Sequence, residues 1–256
     1  MTVHVSVLAS LRFALVLLTL SSIQVHADCQ LDVRVNNDPP QYMNVDDEWT
    51  GRAVELINAL LDEAGCTANY VVLPWQRSLI ELERGAIDVM MNFGYSAERA
   101  GYAHFISPHT YEITVLTVRK NLARQILSLE DLKDLPGKIG FEKGNIYDQA
   151  FTRKYNTDKS FRALFVPLPA HDITEMVFRG NLVGELNLAE SARYLIDNNP
   201  AYAEKLTVLP FHVSRLPTFF AFSKQSVSTE LLLRLHAANV RVLARDGYQD
   251  ILKKWE

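Results

Sequence analysis

The stretch from Pro74 to Tyr111, PWQRSLIELERGAIDVMMNFGYSAERAGYAHFISPHTY, constrains the fold more than any other part of the chain. Trp75, Leu79 and Leu82 recur at helical spacing, with Glu81 and Glu83 outside that stripe. Arg84 and Gly85 supply the cation and the left-handed residue that commonly end a helix. Ile87 to Met91 is a short apolar run that suits a strand buried in a parallel sheet. Its carboxyl end opens into Asn92, Gly94, Ser96 and Arg99. Helix, buried strand and polar loop in this order predict an open α/β sheet, in which ligands bind just beyond the carboxyl ends of the strands. A guanidinium at that place, among small hydrogen-bonding residues, suits a bidentate hold on a carboxylate. Taken without its neighbours, Arg99 reads equally as a solvated surface group.

Residues 1–27 read as an export leader. Arg12 precedes an apolar core from Phe13 to Leu20, and Val25-His26-Ala27 places small residues for a cut after Ala27. The apolar run falls short of the roughly 20 residues that span a bilayer, so cleavage is expected rather than anchoring. The remainder, 28–256, has room for one large or two modest domains and is expected to be soluble in the periplasm. With 26 cations against 30 acids and no Lys/Arg cluster, a nucleic-acid partner is not expected. The two cysteines, Cys29 and Cys66, lie at the start of the first strand and between the first long helix and the second strand. Neighbouring parallel strands would bring them together, and an oxidising compartment would join them in a disulfide.

The order of these pieces resembles the amino-acid-type family of periplasmic solute-binding proteins, the receptors of ABC importers. The pattern there is a hydrophobic residue opening a helix, leucines, Gly-x-Ile/Val-Asp, a Ser/Thr-x-x-Arg turn and a Phe-Ser-x-Pro-like run. Here it reads Trp75, Leu79, Leu82, Gly85, Ile87, Asp88, Ser96-Ala-Glu-Arg99 and Phe105-Ile-Ser-Pro108. A second match, Leu132-x-Asp-Leu-x-Gly-x-Ile-Gly140, opens the second lobe, one residue shorter between its Gly and Ile than the family's run, and a third closes the chain in Asp246-Gly247-Tyr248 and Ile251-Leu-Lys-Lys-Trp255. The resemblance implies two α/β lobes joined by two crossings, lobe 1 being 28–117 and 216–256 and lobe 2 being 118–215. It also implies a monomer that closes on a small carboxylate ligand such as an amino acid and docks on an inner-membrane permease, without a cofactor.

Site residues follow position by position. Arg99 would clamp the ligand carboxylate, with Ser96, Asn92 and Gly94 around it. Trp75 holds the position that stacks on the ligand, and a core tryptophan is its competing role. Tyr42, after the loop Asn36-Asn-Asp-Pro-Pro40, would line the cleft or pack on its rim. Arg77 could reach the cleft or stay solvated. Lys143-Gly144-Asn145-Ile146-Tyr147 reads as a strand-to-helix turn, so Asn145 and Ile146 would present amides to an anion. The sequence departs from the family in Gly180-Asn-Leu-Val-Gly-Glu-Leu-Asn-Leu: Val183 replaces the usual Asp and Leu188 stands at the ammonium-binding acid. Glu185, Asn187 and Glu190 are the candidates to replace it. Two rival functions remain: a dehydratase-like enzyme on the same fold, with Glu185 or Glu190 as general acid, and a sensor that signals without transport. His104, His109 and His171 fall in no metal-ligand spacing, so no metal is expected.

Overall fold

The structure, a computed structural model, describes residues 29–169 and 172–255, without the side chains of residues 107–109. The expected leader with its cut after Ala27, and His171, lie outside the described residues.

The chain begins with β1 (Cys29–Val35), a hairpin of β2 (Met43–Val45) and β3 (Glu48–Thr50), α1 (Arg52–Glu63) and β4 (Cys66–Val72). It continues through α2 (Trp75–Arg84), β5 (Val89–Gly94) and the single turn α3 (Arg99–Tyr102) into β6 (Ala103–Arg119). The second half comprises β7 (Ile139–Glu142), α4 (Gln149–Thr157), α5 (Lys159–Arg162), β8 (Phe165–Leu168), α6 (Ile173–Arg179), β9 (Gly184–Leu188), α7 (Ala189–Asp197), α8 (Pro200–Lys205) and β10 (Leu206–Val208). β11 (Ser214–Ser223) returns, and α9 (Thr229–Leu243) and α10 (Asp246–Lys254) follow.

These strands form a sheet in the order β4-β1-β5-β11-β6-β9-β7-β8, with β10 on the far part of β6. β4, β1 and β5 run parallel, as do β9, β7 and β8, and the antiparallel pair β11 and β6 carries the chain between the two parallel groups. The molecule is therefore two-lobed, with β6 and β11 as the crossings. The first lobe buries Leu56, Ile57, Leu60, Phe220, Phe222 and Leu235 between its sheet and α1 and α9. The second has its own core around Phe151, Phe161, Phe165 and Ile139.

Local chemistry accounts for the element ends. Gly85 adopts a left-handed φ of 76° and its N–H returns to Leu82, closing α2. Asp131 accepts from the Leu127 and Ser128 N–H groups, the reciprocal arm of a Ser128-x-x-Asp131 capping box, and a 3-10 turn over Glu130–Asp134 follows. Cys29 and Cys66 are register partners across β1 and β4 and are joined by a disulfide with Cα atoms 4.5 Å apart.

Three local features depart from the simplest reading of their residues. The run from Phe161 to Pro167 is not all strand, because Asp158 accepts from the Phe161 N–H and opens α5, leaving the strand to start at Phe165. Asp246-Gly247-Tyr248 forms the first turn of α10 rather than a separate turn. The β2–β3 hairpin reverses at Asp46 and Asp47, both at positive φ, which short polar side chains tolerate.

Candidate functional site

A cleft of about 540 Å³ opens between the lobes, at the carboxyl ends of β1, β5, β7 and β9. This is where an open parallel sheet presents its ligand sites. Of the residues singled out from sequence, Tyr42, Trp75, Asn92, Gly94, Arg99, Asn145, Ile146 and Asn187 line it. Ser96 lies beside a smaller adjoining pocket, where its hydroxyl accepts from the Arg99 N–H and helps start α3. Arg77 is not in the lining; it faces outward and pairs with Glu81 one turn along α2. Glu190 is also outside the lining, pairing instead with Arg52 and Gln41.

Arg99 is buried in the wall and fixed from both lobes. Its Nη1 donates to the Gly94 carbonyl at 2.9 Å and its Nη2 to the Gly144 carbonyl, across the cleft, at 2.8 Å. The guanidinium lies 4.3 Å over the Phe93 ring. Two of its five donors are thus committed to carbonyls, and the Tyr102 side chain is a further hydrogen-bond partner. Gly144 can make this approach because its φ of +91° suits glycine, and an added Cβ would lie 3.1 Å from the Gln76 Nε2.

Trp75 combines the two roles open to it. Its edge packs on the cluster of Leu82, Phe93 and Ala103, while its ring carries Arg34 and Arg99 guanidiniums each 5.5 Å from the centroid. Both cations sit at distances favourable for cation–π attraction. Tyr42 is likewise both core and cleft: it packs with α1 residues, lines the cavity, and has its phenol pKa raised by burial. Arg34 also lines the cleft, and its Nε is anchored by the Leu73 carbonyl and the Ser78 hydroxyl.

The dominant electrostatic feature is acidic. Asp38, Glu112, Glu142 and Glu185 all line the cleft. Burial raises the Glu112 carboxyl to about 8, reinforced by the Asp38 charge and opposed by Arg52 and Arg99. Burial also raises Glu142 to about 7, with Arg34 opposing, and Glu185 to about 7, against a hydrogen bond from Thr174 at 2.6 Å. Asp38 is raised for the same reason, and the Ser191 hydroxyl partly offsets it. Like charges drawn into one desolvated space disfavour the ionised forms, so a cation entering there would be stabilised. Among the described residues, no three His, Cys, Asp or Glu side chains converge closely enough to hold a metal ion.

Sequence reasoning named Glu185 and missed the other three acids. Asp38 lies in the loop quoted for Tyr42, and Glu142 ends a strand, a position the strand-end rule points to. Glu112 is carried by a crossing strand and no local pattern marks it. Tyr147 and Trp75 also line the cleft, and both the Tyr147 hydroxyl and the Trp75 indole N–H are buried without a partner among the described residues.

A profile of bacterial extracellular solute-binding proteins, family 3, matches residues 31–256. No curated protein sequence matches the chain. Among solved structures, an ancestral arginine-binding protein bound to arginine is similar, with a TM-score of 0.75 and 20% identity over 90% of this chain and 99% of that one. A histidine kinase sensor domain with similarity to periplasmic binding proteins gives 0.74 and 20%, covering 90% and 96%. An ancestral amino-acid-binding protein, a precursor of cyclohexadienyl dehydratase, gives 0.70 and 21%, covering 88% and 95%.

Proposed function

The chain belongs to the bacterial extracellular solute-binding proteins of family 3, and we propose that it is a periplasmic receptor for a small cationic ligand that also bears a carboxylate, such as a basic amino acid or its derivative. The observation that carries this reading is the convergence of Asp38, Glu112, Glu142 and Glu185 on one cleft that also contains Arg99 and the Trp75 ring. A guanidinium or ammonium would take the place of protons on the acids, and Trp75 offers a face to a flat cation. Arg99, with the Asn145 and Ile146 loop, would receive the carboxylate. Leu188 at the family's acid position is then compensated by Glu185, three residues earlier on β9. The arginine bound in the ancestral relative is consistent with this class of ligand.

Hinge closure of lobe 1 (28–117 and 216–256) on lobe 2 (118–215) would bury the ligand. The closed monomer would deliver it to an inner-membrane permease. A sensing role uses the same cleft, and the kinase sensor domain supports keeping it as the second reading. Turnover is the less favoured third, resting on Glu185 as a carboxyl group poised near neutrality and on the dehydratase precursor.

The test is a thermal-shift screen of residues 28–256 against basic amino acids, amines and small carboxylates. Ligand at one hundred times its dissociation constant adds about 2.7 kcal/mol to folding, which a melting curve resolves readily. Stabilisation by arginine, and its loss in Arg99→Ala, is expected. Full affinity in Arg99→Ala would remove the clamp, and consumption of the hit would make the protein an enzyme.

A further inference from the structure

The lobes also meet through a second constellation, which shares Asn92 with the ligand cleft. Gln41, Arg52 and Asn92 form a buried group on the first lobe, 0%, 5% and 7% exposed. The Gln41 Oε1 accepts from the Asn92 Nδ2 at 3.2 Å and from the Arg52 Nε at 3.4 Å. With its oxygen so occupied, the amide has one orientation left, and its Nε2 faces the second lobe. There it donates to the Glu190 Oε2 at 2.5 Å, while the Arg52 Nη1 pairs with the Glu190 Oε1. Asn92 supports this amide from a left-handed backbone, φ 51°, where the pairing of β5 with β11 shifts register. A non-glycine residue held there within a strand reflects a constraint from its surroundings.

We infer that Glu190 is a positioning residue that latches the lobes together, its carboxylate received by the Gln41–Arg52–Asn92 cradle. Glu190 stands in the first turn of α7, where the helix dipole also favours a negative charge. Its two oxygens are held separately, one by a neutral amide and one by a guanidinium, which fixes direction as well as distance. Opening the cleft breaks both bonds at once and leaves the Arg52 guanidinium without its ion-pair partner. On the opposite flank, Gln76 Nε2 donates to the Lys143 carbonyl at 2.6 Å and Arg99 to the Gly144 carbonyl, so the lobes are tied at both edges. Only the Glu190 edge, among the described residues of these flanks, closes on a carboxylate–guanidinium pair. The latch goes beyond the receptor reading, because it sets the open–closed balance whatever the ligand is.

The experiment measures interlobe distance without any added ligand. A nitroxide pair on the exposed positions Glu83 and Lys159, one on each lobe, reports the distance distribution by pulsed electron resonance. Glu190→Gln, which keeps the shape, and Glu190→Ala should each lower the ratio of short to long distances by about fivefold, the scale of losing an ion pair whose carboxylate is partly exposed. Glu63→Gln, whose carboxylate pairs with Arg241 and Arg245 inside the first lobe, should leave it unchanged. A single short distance in Glu190→Gln, with native circular dichroism and melting, overturns the latch. Because no ligand is present, that result is distinct from failure of the cationic-ligand reading, which the thermal screen decides.

Discussion

If a cation replaces protons in the cleft, binding must release them, and the number follows from the site. Glu112 near 8 and Glu142 and Glu185 near 7 are raised from the ordinary carboxylate range. At pH 7 they hold roughly nine-tenths, one half and one half of a proton, about two in all by simple titration. Asp38 is raised in the same direction, by burial. A guanidinium stays charged throughout this range, so the ligand brings its charge without titrating. The sign is then fixed: the ligand favours the ionised carboxyls, so affinity rises with pH up to about 8 and levels off above it. Release of between one and two protons makes the dissociation constant fall roughly ten- to hundredfold per pH unit near pH 7.

The assay is titration calorimetry with L-arginine and with agmatine, its decarboxylated form, in buffers of different ionisation enthalpy. The slope of apparent heat against buffer enthalpy gives the protons released. Glu185→Gln should lower that number by about one half at pH 7 and weaken both ligands. Agmatine, lacking the carboxylate, should lose the contribution of Arg99 and keep the proton release. Without ligand, these raised groups bind more protons folded than unfolded, so their stabilisation is present at low pH and is lost as pH rises through 7 to 8. Buffer-independent heats together with melting temperatures that do not fall from pH 6 to pH 8.5 would refute the electrostatic reasoning.

Two further outcomes are expected. Replacing Cys29 and Cys66 by alanine opens a loop of 37 residues, which chain entropy values at about 4 kcal/mol; calorimetry should show the melting temperature about 8–16 °C lower at this chain size, and a loss under about 1 kcal/mol would contradict the entropic account. Gly144→Ala forces a side chain onto a φ of +91° and a Cβ 3.1 Å from Gln76 and 3.4 Å from Trp75, at a backbone cost of about 1–3 kcal/mol. Its arginine affinity should drop more than that of Gly101→Ala, whose Cβ meets nothing within 4 Å; equal affinities would remove Gly144 from the closing surface.

The lobes, the crossings and most of the cleft wall were legible because they depend on local signals. Trp75, Leu79 and Leu82 announce a helix, Gly85 its end, and the apolar run after it a buried strand; Arg99 follows in the same loop. What was not legible depends on approach across the sheet. Phe161 looked like strand until Asp158 captured its N–H, a contact that the apolar pattern of Phe161 to Pro167 does not encode. Glu112 reads as one polar residue in an alternating strand, and only the pairing of β6 with β11 turns it into the cleft. Glu190 was read as a ligand acid, whereas its distance in sequence from Gln41 and Arg52 hid the cradle that holds it.

The cleft acids and the latch act in opposition. Asp38 comes from the first lobe, Glu112 from a crossing, and Glu142 and Glu185 from the second lobe. The pairs that span the lobes, Asp38 with Glu142 and with Glu185, therefore come closer when the lobes close, and their repulsion resists closure unless they are protonated or bridged by a cation. Glu190, meeting Arg52, favours closure by attraction of opposite sign. A receptor tuned by these two terms sits near balance while the acids are ionised, and a cationic ligand tips it by removing the repulsive term. The energy that closes the lobes need not come from ligand contacts alone, since a ligand shifts the equilibrium by its differential affinity for the two states. On this view the same substitution has opposite signs at the two places. Neutralising Glu112 or Glu142 should close the empty protein and cost it ligand, whereas neutralising Glu190 should open the empty protein. The distance measurement, made on Glu112→Gln and Glu190→Gln at pH 8.5 where the acids are charged, puts those signs side by side. Movement of both variants in one direction would show that the cleft acids and the latch do not oppose each other.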